Sequence, residues 1–219
     1  MNSPILQLLV LAGIAVFLIL RLRSVLGTRE GFEKPPLPPK ERSSAVSRDF
    51  EVIEGGPDRD ITDHVAEGSD SAEALAAMKR LDHDFNVTDF LTGARGAYEM
   101  ILTAFERSDL ASIKPFLSED VYDAFAGVVE QRAAEGLTID FTFVGISEIR
   151  LVDATFDQVS NEAELSVRFT GEMTSVVRDR GGDVIEGSAS EIKRQRDVWT
   201  FARTMGSNDP NWVLVATGE

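Results

Sequence analysis

The chain has 219 residues, with 22 Lys and Arg against 37 Asp and Glu and a net charge of −15. That excess speaks against nucleic acid as a partner, because gripping phosphates takes clustered cations that displace counterions. With no Cys and only His64 and His83, disulfides, thiol chemistry and Cys-based metal centres are excluded. Two histidines are also too few for a histidine cage, so neither metal nor cofactor is expected.

The charge divides the chain into three parts. Residues 1–26 carry net +2, residues 27–70 net −5 and residues 71–219 net −12. The first part holds sixteen residues from Ile5 to Leu20 with Gln7 as the only polar one. Ile5, Leu6, Leu8, Leu9, Phe17 and Leu20 give a continuous apolar surface, and the uncharged stretch makes about 28 Å of helix, enough to span a bilayer. A cleaved signal peptide would start with basic residues and end in a small-x-small site, and neither is present. A single-pass anchor is therefore expected. Arg21 and Arg23 follow the span and no basic residue precedes it, which places the N-terminus outside and the remainder in the cytoplasm.

Residues 27–70 hold five of the eight prolines, including the PPLPP of Pro35–Pro39, and few apolar residues. They read as an unstructured acidic tether. Asp58, Asp60, Asp63 and Glu67 resemble a calcium loop, but Asp63 and Ser69 stand where that loop needs Gly and Glu. His64 in the tether and His83 at a helix end are expected to be solvated.

From residue 71 the apolar residues become periodic. Asp70 with Glu73 predicts a capping box opening a helix through Leu75, Met78 and Leu81. Packing onto the domain is preferred for it over docking on anionic lipid, since Lys79 and Arg80 are its only cations. Asn86 and Thr88 can cap a longer helix whose apolar stripe runs Val87, Phe90, Leu91, Ala94, Ala97, Tyr98, Ile101, Leu102 and Phe105. Gly93 and Gly96 each weaken that helix by about 1 kcal/mol relative to Ala, which suggests close approach by another element. A short helical turn is predicted at 110–117, then a helix from a Ser118 cap to Glu135 with Gly136 as its stop.

Beyond Gly136 the period becomes two. Strands are predicted at Ile139–Phe143, at 162–169, at Met173–Arg178 before an Arg180–Asp183 turn, at 191–203 and at 211–217. Helices followed by strands with short connections predict an α+β domain, an antiparallel sheet with helices on one face.

Three segments, FLTGARGAY (Phe90–Tyr98), DVWTFAR (Asp197–Arg203) and DPNWVLVAT (Asp209–Thr217), resemble signatures of the Tim forty-four-like family. Its namesake is the presequence-translocase subunit of the mitochondrial inner membrane. The resemblance covers residues 71–219, and the anchor–tether–domain layout is similar to that of alphaproteobacterial members. It implies a cystatin-like, nuclear-transport-factor-two-like cone, helices on a curved antiparallel sheet with an apolar pocket between. It also implies an adaptor on the inner-membrane face that engages membrane or translocating proteins and is not an enzyme. The long chaperone-contacting region of the mitochondrial protein has no counterpart here, so chaperone tethering does not carry over. A lipid or other apolar ligand in the pocket is the alternative.

Tyr98, Phe141, Phe143, Trp199, Phe201 and Trp212 are the candidates for the pocket wall, with plain core as the competing role. An acid–base enzyme would use Asp140 or Asp197 with Tyr98 or Tyr122. The alternative has the strand carboxylates facing solvent or pairing with Arg194, Arg196 or Arg203, and no catalytic residue is assigned.

Overall fold

The computed structural model describes residues 58–218. The Ile5–Leu20 span, Arg21, Arg23 and residues 27–57 of the expected tether lie outside the described residues. Among the described residues, no helix is long and apolar enough to cross a membrane.

The folded body begins before residue 71. Asp58 caps a one-turn helix, α1 (Arg59–Thr62), by accepting from the Asp60 amide. Ile61 carries that turn into the core at 6% exposure. Asp60 then accepts from the Lys79 ammonium (2.8 Å) and from the Val87 and Thr88 amides (2.8 and 3.1 Å). The expected tether is thus corrected at its C-terminal end. Ile61 and Val65 against the core, with Asp58 and Asp60 on Lys79, tie down a segment whose average composition is polar.

Helix α2 (Asp70–Leu81) is capped by Ser69, whose hydroxyl accepts from the Ala72 amide, and not by the Asp70–Glu73 box. Those two acids lie in the first turn, where they favour the helix dipole. Leu75 and Met78 are fully buried. Helix α3 (Val87–Glu106) is capped by Asn86, with Asp60 taking its first two amides, and not by Thr88, whose hydroxyl is turned to Asp60. Its predicted stripe is the spine of the core.

A turn of helix, α4 (Leu110–Ile113), and a 3₁₀ turn (Lys114–Phe116) lead to α5 (Glu119–Glu135). The Ser118 cap and the left-handed Gly136 stop (φ 72°) of α5 stand where the sequence puts them.

The sheet is a four-stranded antiparallel meander in the order β1-β2-β3-β4: β1 (Thr138–Asp157), β2 (Glu162–Arg178), β3 (Val184–Thr204) and β4 (Val213–Gly218). The helices cover one face. Two strand expectations are corrected. β1 continues past Phe143 for fourteen residues that carry no period-two signal. Register shifts at Phe143/Gly145, Ile146/Glu148 and Leu151/Asp153 each insert one residue and reverse the alternation on paper. The segments 162–169 and Met173–Arg178 are one strand, with Gly171 inside it rather than between two. Ala163, Leu165, Val167, Phe169 and Met173 all face the helices and are buried.

Candidate functional site

The centre of the domain is aromatic. Tyr98 of α3 is fully buried, stacked on Phe169 of β2 at 4.4 Å, with Trp199 of β3 at 4.7 Å and Phe143 of β1 at 6.1 Å. Its hydroxyl donates to Asp197 Oδ2 at 2.6 Å, and Gln195 Nε2 donates to both oxygens of that carboxylate. Burial, and then the Asp197 carboxylate beside it, push the Tyr98 hydroxyl far above its ordinary pKa. It therefore stays a donor to Asp197 at every physiological pH. Asp197 makes no ion pair among the described residues, and Asp140 pairs with Arg178 on the surface. Of the pairings considered, Arg194 takes a strand carboxylate, Glu172 (2.8 Å), and Asp140 faces solvent, whereas Asp197 does neither. Arg203 instead bonds Asp82 of the α2 C-cap (2.9 Å) and the Asp209 carbonyl (3.1 Å).

Next to this core, on the outer side of the first half of α3, lies a groove of about 470 Å³. Its floor is Phe90, Gly93, Ala94, Gly96, Ala97 and Met100, and its opposite wall is Phe85, Phe116, Phe201 and Trp212. Asn86, Asp89, Arg203 and Asn211 supply polar atoms at its edge. Trp212 reaches the groove because the Asp209 carboxylate accepts from the backbone and side chain of Asn211, closing a turn that lays the indole on Phe90 at 4.8 Å and Phe85 at 5.9 Å.

Of the six residues proposed for a pocket wall, Phe201 and Trp212 line this groove. Tyr98 and Trp199 are core, and Phe141 and Phe143 are half-buried on the inner face of β1, outside the groove. Tyr122 lies under the Lys114 ammonium at 4.8 Å, also outside it. Large aromatic side chains pack most favourably where enclosed, which draws all six into or against the core, and only Phe201 and Trp212 also present a surface to the groove.

The glycines carry the opposite correction. Nothing lies within 4 Å of a Cβ added at Gly93 or Gly96, so no neighbouring element approaches them. They are exposed and keep the groove floor bare. Asp89, Gly93, Gly96 and Met100 follow one another at steps of four, three and four, so the stripe was readable in sequence as a second face of α3. Replacing Gly93 and Gly96 together with Ala should stabilise the domain by about 1–2 kcal/mol by rigidifying the unfolded chain and the helix. The same two methyl groups narrow the groove. A denaturation midpoint that rises while partner capture falls is the expected pairing, and an unchanged midpoint would contradict it.

The three sequence segments thus meet at one place. FLTGARGAY supplies the floor and Tyr98, DVWTFAR supplies Asp197, Phe201 and Arg203, and DPNWVLVAT supplies the turn and Trp212.

Residues 71–219 match the family model described as Tim44-like domain. Among curated proteins, the human mitochondrial import inner membrane translocase subunit TIM44 is 24% identical over 143 residues, 65% of this chain and 31% of that protein. The Arabidopsis thaliana subunit TIM44-1 is 20% identical over 143 residues, 65% of this chain and 30% of that protein. The probable Caenorhabditis elegans subunit tin-44 is 25% identical over 148 residues, 66% of this chain and 34% of that protein. The match spans about a third of the length of these relatives. Among solved structures, the intermembrane space region of the chloroplast protein ARC6 aligns with a TM-score of 0.36 at 11% identity, covering 66% of this chain and 94% of that one.

Proposed function

Because the chain belongs to the Tim44-like domain family, we propose that it is an adaptor held at the inner membrane whose α3 groove takes an apolar segment of a membrane or translocating protein. The convergence of all three family-like segments on the groove carries this reading. The relatives are subunits of the mitochondrial inner-membrane import translocase, and the portion they share with this chain is the domain that forms the groove. Exposed Gly93, Gly96 and Met100 leave the floor open along its length, which suits a row of apolar side chains on a peptide better than an enclosed ligand. The curvature that three bulges give β1 supports reading the domain as the half-open cone of the cystatin-like and nuclear-transport-factor-two-like folds.

In this reading Ile5–Leu20 is the anchor, with Arg21 and Arg23 holding the domain on the cytoplasmic side. The role is one of binding, since Tyr98 and Asp197 are spent on each other inside the core and Asp140 on Arg178. A photo-crosslinking residue at Met100 in the full-length chain, irradiated in native membranes, tests it. Adducts with membrane or translocating proteins are expected there and not from the same residue at Glu130, on the exposed side of α5. Equal adducts at both positions would sink the proposal.

A further inference from the structure

Four arginines cluster on the outer face of the sheet in a strongly acidic domain, with Glu148 and Glu172 among them and Glu162 and Glu164 further along the same face. Arg150 of β1 and Arg168 of β2 are directly opposed in register. Arg196 of β3 stands one row on, opposite Thr170, and Arg194 one row further, opposite Glu172. Arg194 donates to Glu172 at 2.8 Å. Arg150, Arg168 and Arg196 are exposed and have no ion pair among the described residues, although Glu148 shares their face. Like charges directly opposed on neighbouring strands destabilise a sheet, so the fold carries this arrangement at a cost. The Thr170 hydroxyl among them is buried and has no hydrogen-bond partner.

Arg168, Arg194 and Arg196 border an unpaired strand edge, whereas Arg150 lies two strands away on β1. β4 pairs with β3 only from Val198 to Ala202 and ends at Gly218. On that side Lys193–Asp197 has no strand partner among the described residues, and alternate residues turn their backbone N–H and C=O groups outward. A depression of about 710 Å³, lined by Arg168, Lys193, Arg194, Gln195 and Arg196 together with Asp197 and Val198, opens there.

We propose that this edge and the arginines beside it form a docking site, separate from the α3 groove, for an extended acidic segment of a partner protein. The segment adds as a strand along Lys193–Asp197, in line with β4. Its backbone takes up the free ladder groups, and its outward carboxylates accept from Arg168, Arg194 and Arg196 as charge-assisted pairs. The cations also prevent two copies of this edge from pairing with each other. The net negative charge of the domain repels an acidic segment, and the arginine cluster offsets that repulsion locally.

The test uses the full-length chain in neutral detergent and a fluorescent seven-residue peptide of alternating Glu and Val. Anisotropy should show saturable binding that weakens with added salt. The triple variant Arg168→Ser, Arg194→Ser, Arg196→Ser should bind at least about tenfold more weakly, since three charge-assisted contacts are removed. Those side chains are exposed, and a retained cooperative thermal transition will confirm that the variant folds. The same peptide with its alternate amides N-methylated keeps its charge and should lose binding. Amide exchange in β3 should slow at Lys193–Asp197 when the parent peptide is added. Undiminished binding by the triple variant, or equal binding of the N-methylated peptide, would overturn the proposal. So would soluble dihexanoyl phosphatidylglycerol binding at the arginines while the peptide does not bind.

Discussion

Tyr98→Ala is expected to lower the unfolding free energy by about 4 kcal/mol, because it empties an aromatic site in a fully enclosed core. The loss exceeds ordinary cavity formation because Asp197 is left buried at 8% exposure without its hydroxyl donor. Tyr98→Phe isolates that second part and should cost about 1–2 kcal/mol, the penalty for leaving a buried acceptor short of a partner. Gly171 gives an independent check on the same contact. A Cβ there would sit 2.7 Å from Tyr98 Oη and 3.0 Å from Met173 Cε. Gly171→Ala should therefore destabilise by about 1–3 kcal/mol through overpacking. In the Tyr98→Phe background the nearest clashing atom is gone, so the alanine should cost measurably less there. Urea denaturation of the four proteins decides the matter, and strictly additive losses would show that Gly171 and Tyr98 are not coupled.

The second large effect concerns where the domain starts. A fragment 71–219, cut at the family-model boundary, should be less stable than fragment 58–219 by about 3 kcal/mol or more, from the lost burial of Ile61, the lost Ser69 cap and the lost Asp60 contacts. Within that sum the Asp60 share has a pH signature. Burial alone would raise its pKa, but the Lys79 ammonium and the donors of Val87 and Thr88 outweigh burial and hold it at about 2, against an ordinary value of 3.8. The side chain is 13% exposed, so little of this is screened. A carboxylate with a depressed folded pKa stabilises the fold above its unfolded pKa and loses that contribution as pH falls through the folded one. The stability gap between the parent and Asp60→Ala should be on the order of 2 kcal/mol at neutral pH, as a shift of this size implies. It should close between pH 4 and pH 2. A gap that stays constant over that range would remove Asp60 as the fastener.

Periodicity was a reliable guide wherever one residue type and one spacing acted alone. The α3 stripe, the Asn86 and Ser118 caps and the Gly136 stop are local matters, decided within a turn of the backbone, and they stand as read. The alternation of β1 became unreadable at Val144 because each bulge reverses the phase, and a bulge is set by curvature around the core rather than by local preference. Gly171 looked like a break for a related reason. Its role is to make room for a tyrosine 73 positions earlier in the chain, and no local pattern carries that information.

The candidate site divides in the same way. The segments FLTGARGAY, DVWTFAR and DPNWVLVAT were visible in the chain, and with them the family. Which of their residues reach the groove was not, because burial sorts side chains by enclosure as well as by size, and Tyr98 and Trp199 lost their access while glycines gained it.

The amino-acid sequence alone determined the charge imbalance of −15, the exclusion of thiol and Cys-metal chemistry, the α+β class and the family, since composition, period and local segments require no knowledge of neighbours. The tertiary structure alone decided that Asp58–Ser69 belongs to the folded body, that three distant segments build one groove, and that Arg150, Arg168, Arg194 and Arg196 of three strands come together on one sheet face. Each of these depends on register between strands or on contacts across tens of residues, and such long-range pairing is what folding adds to the chain.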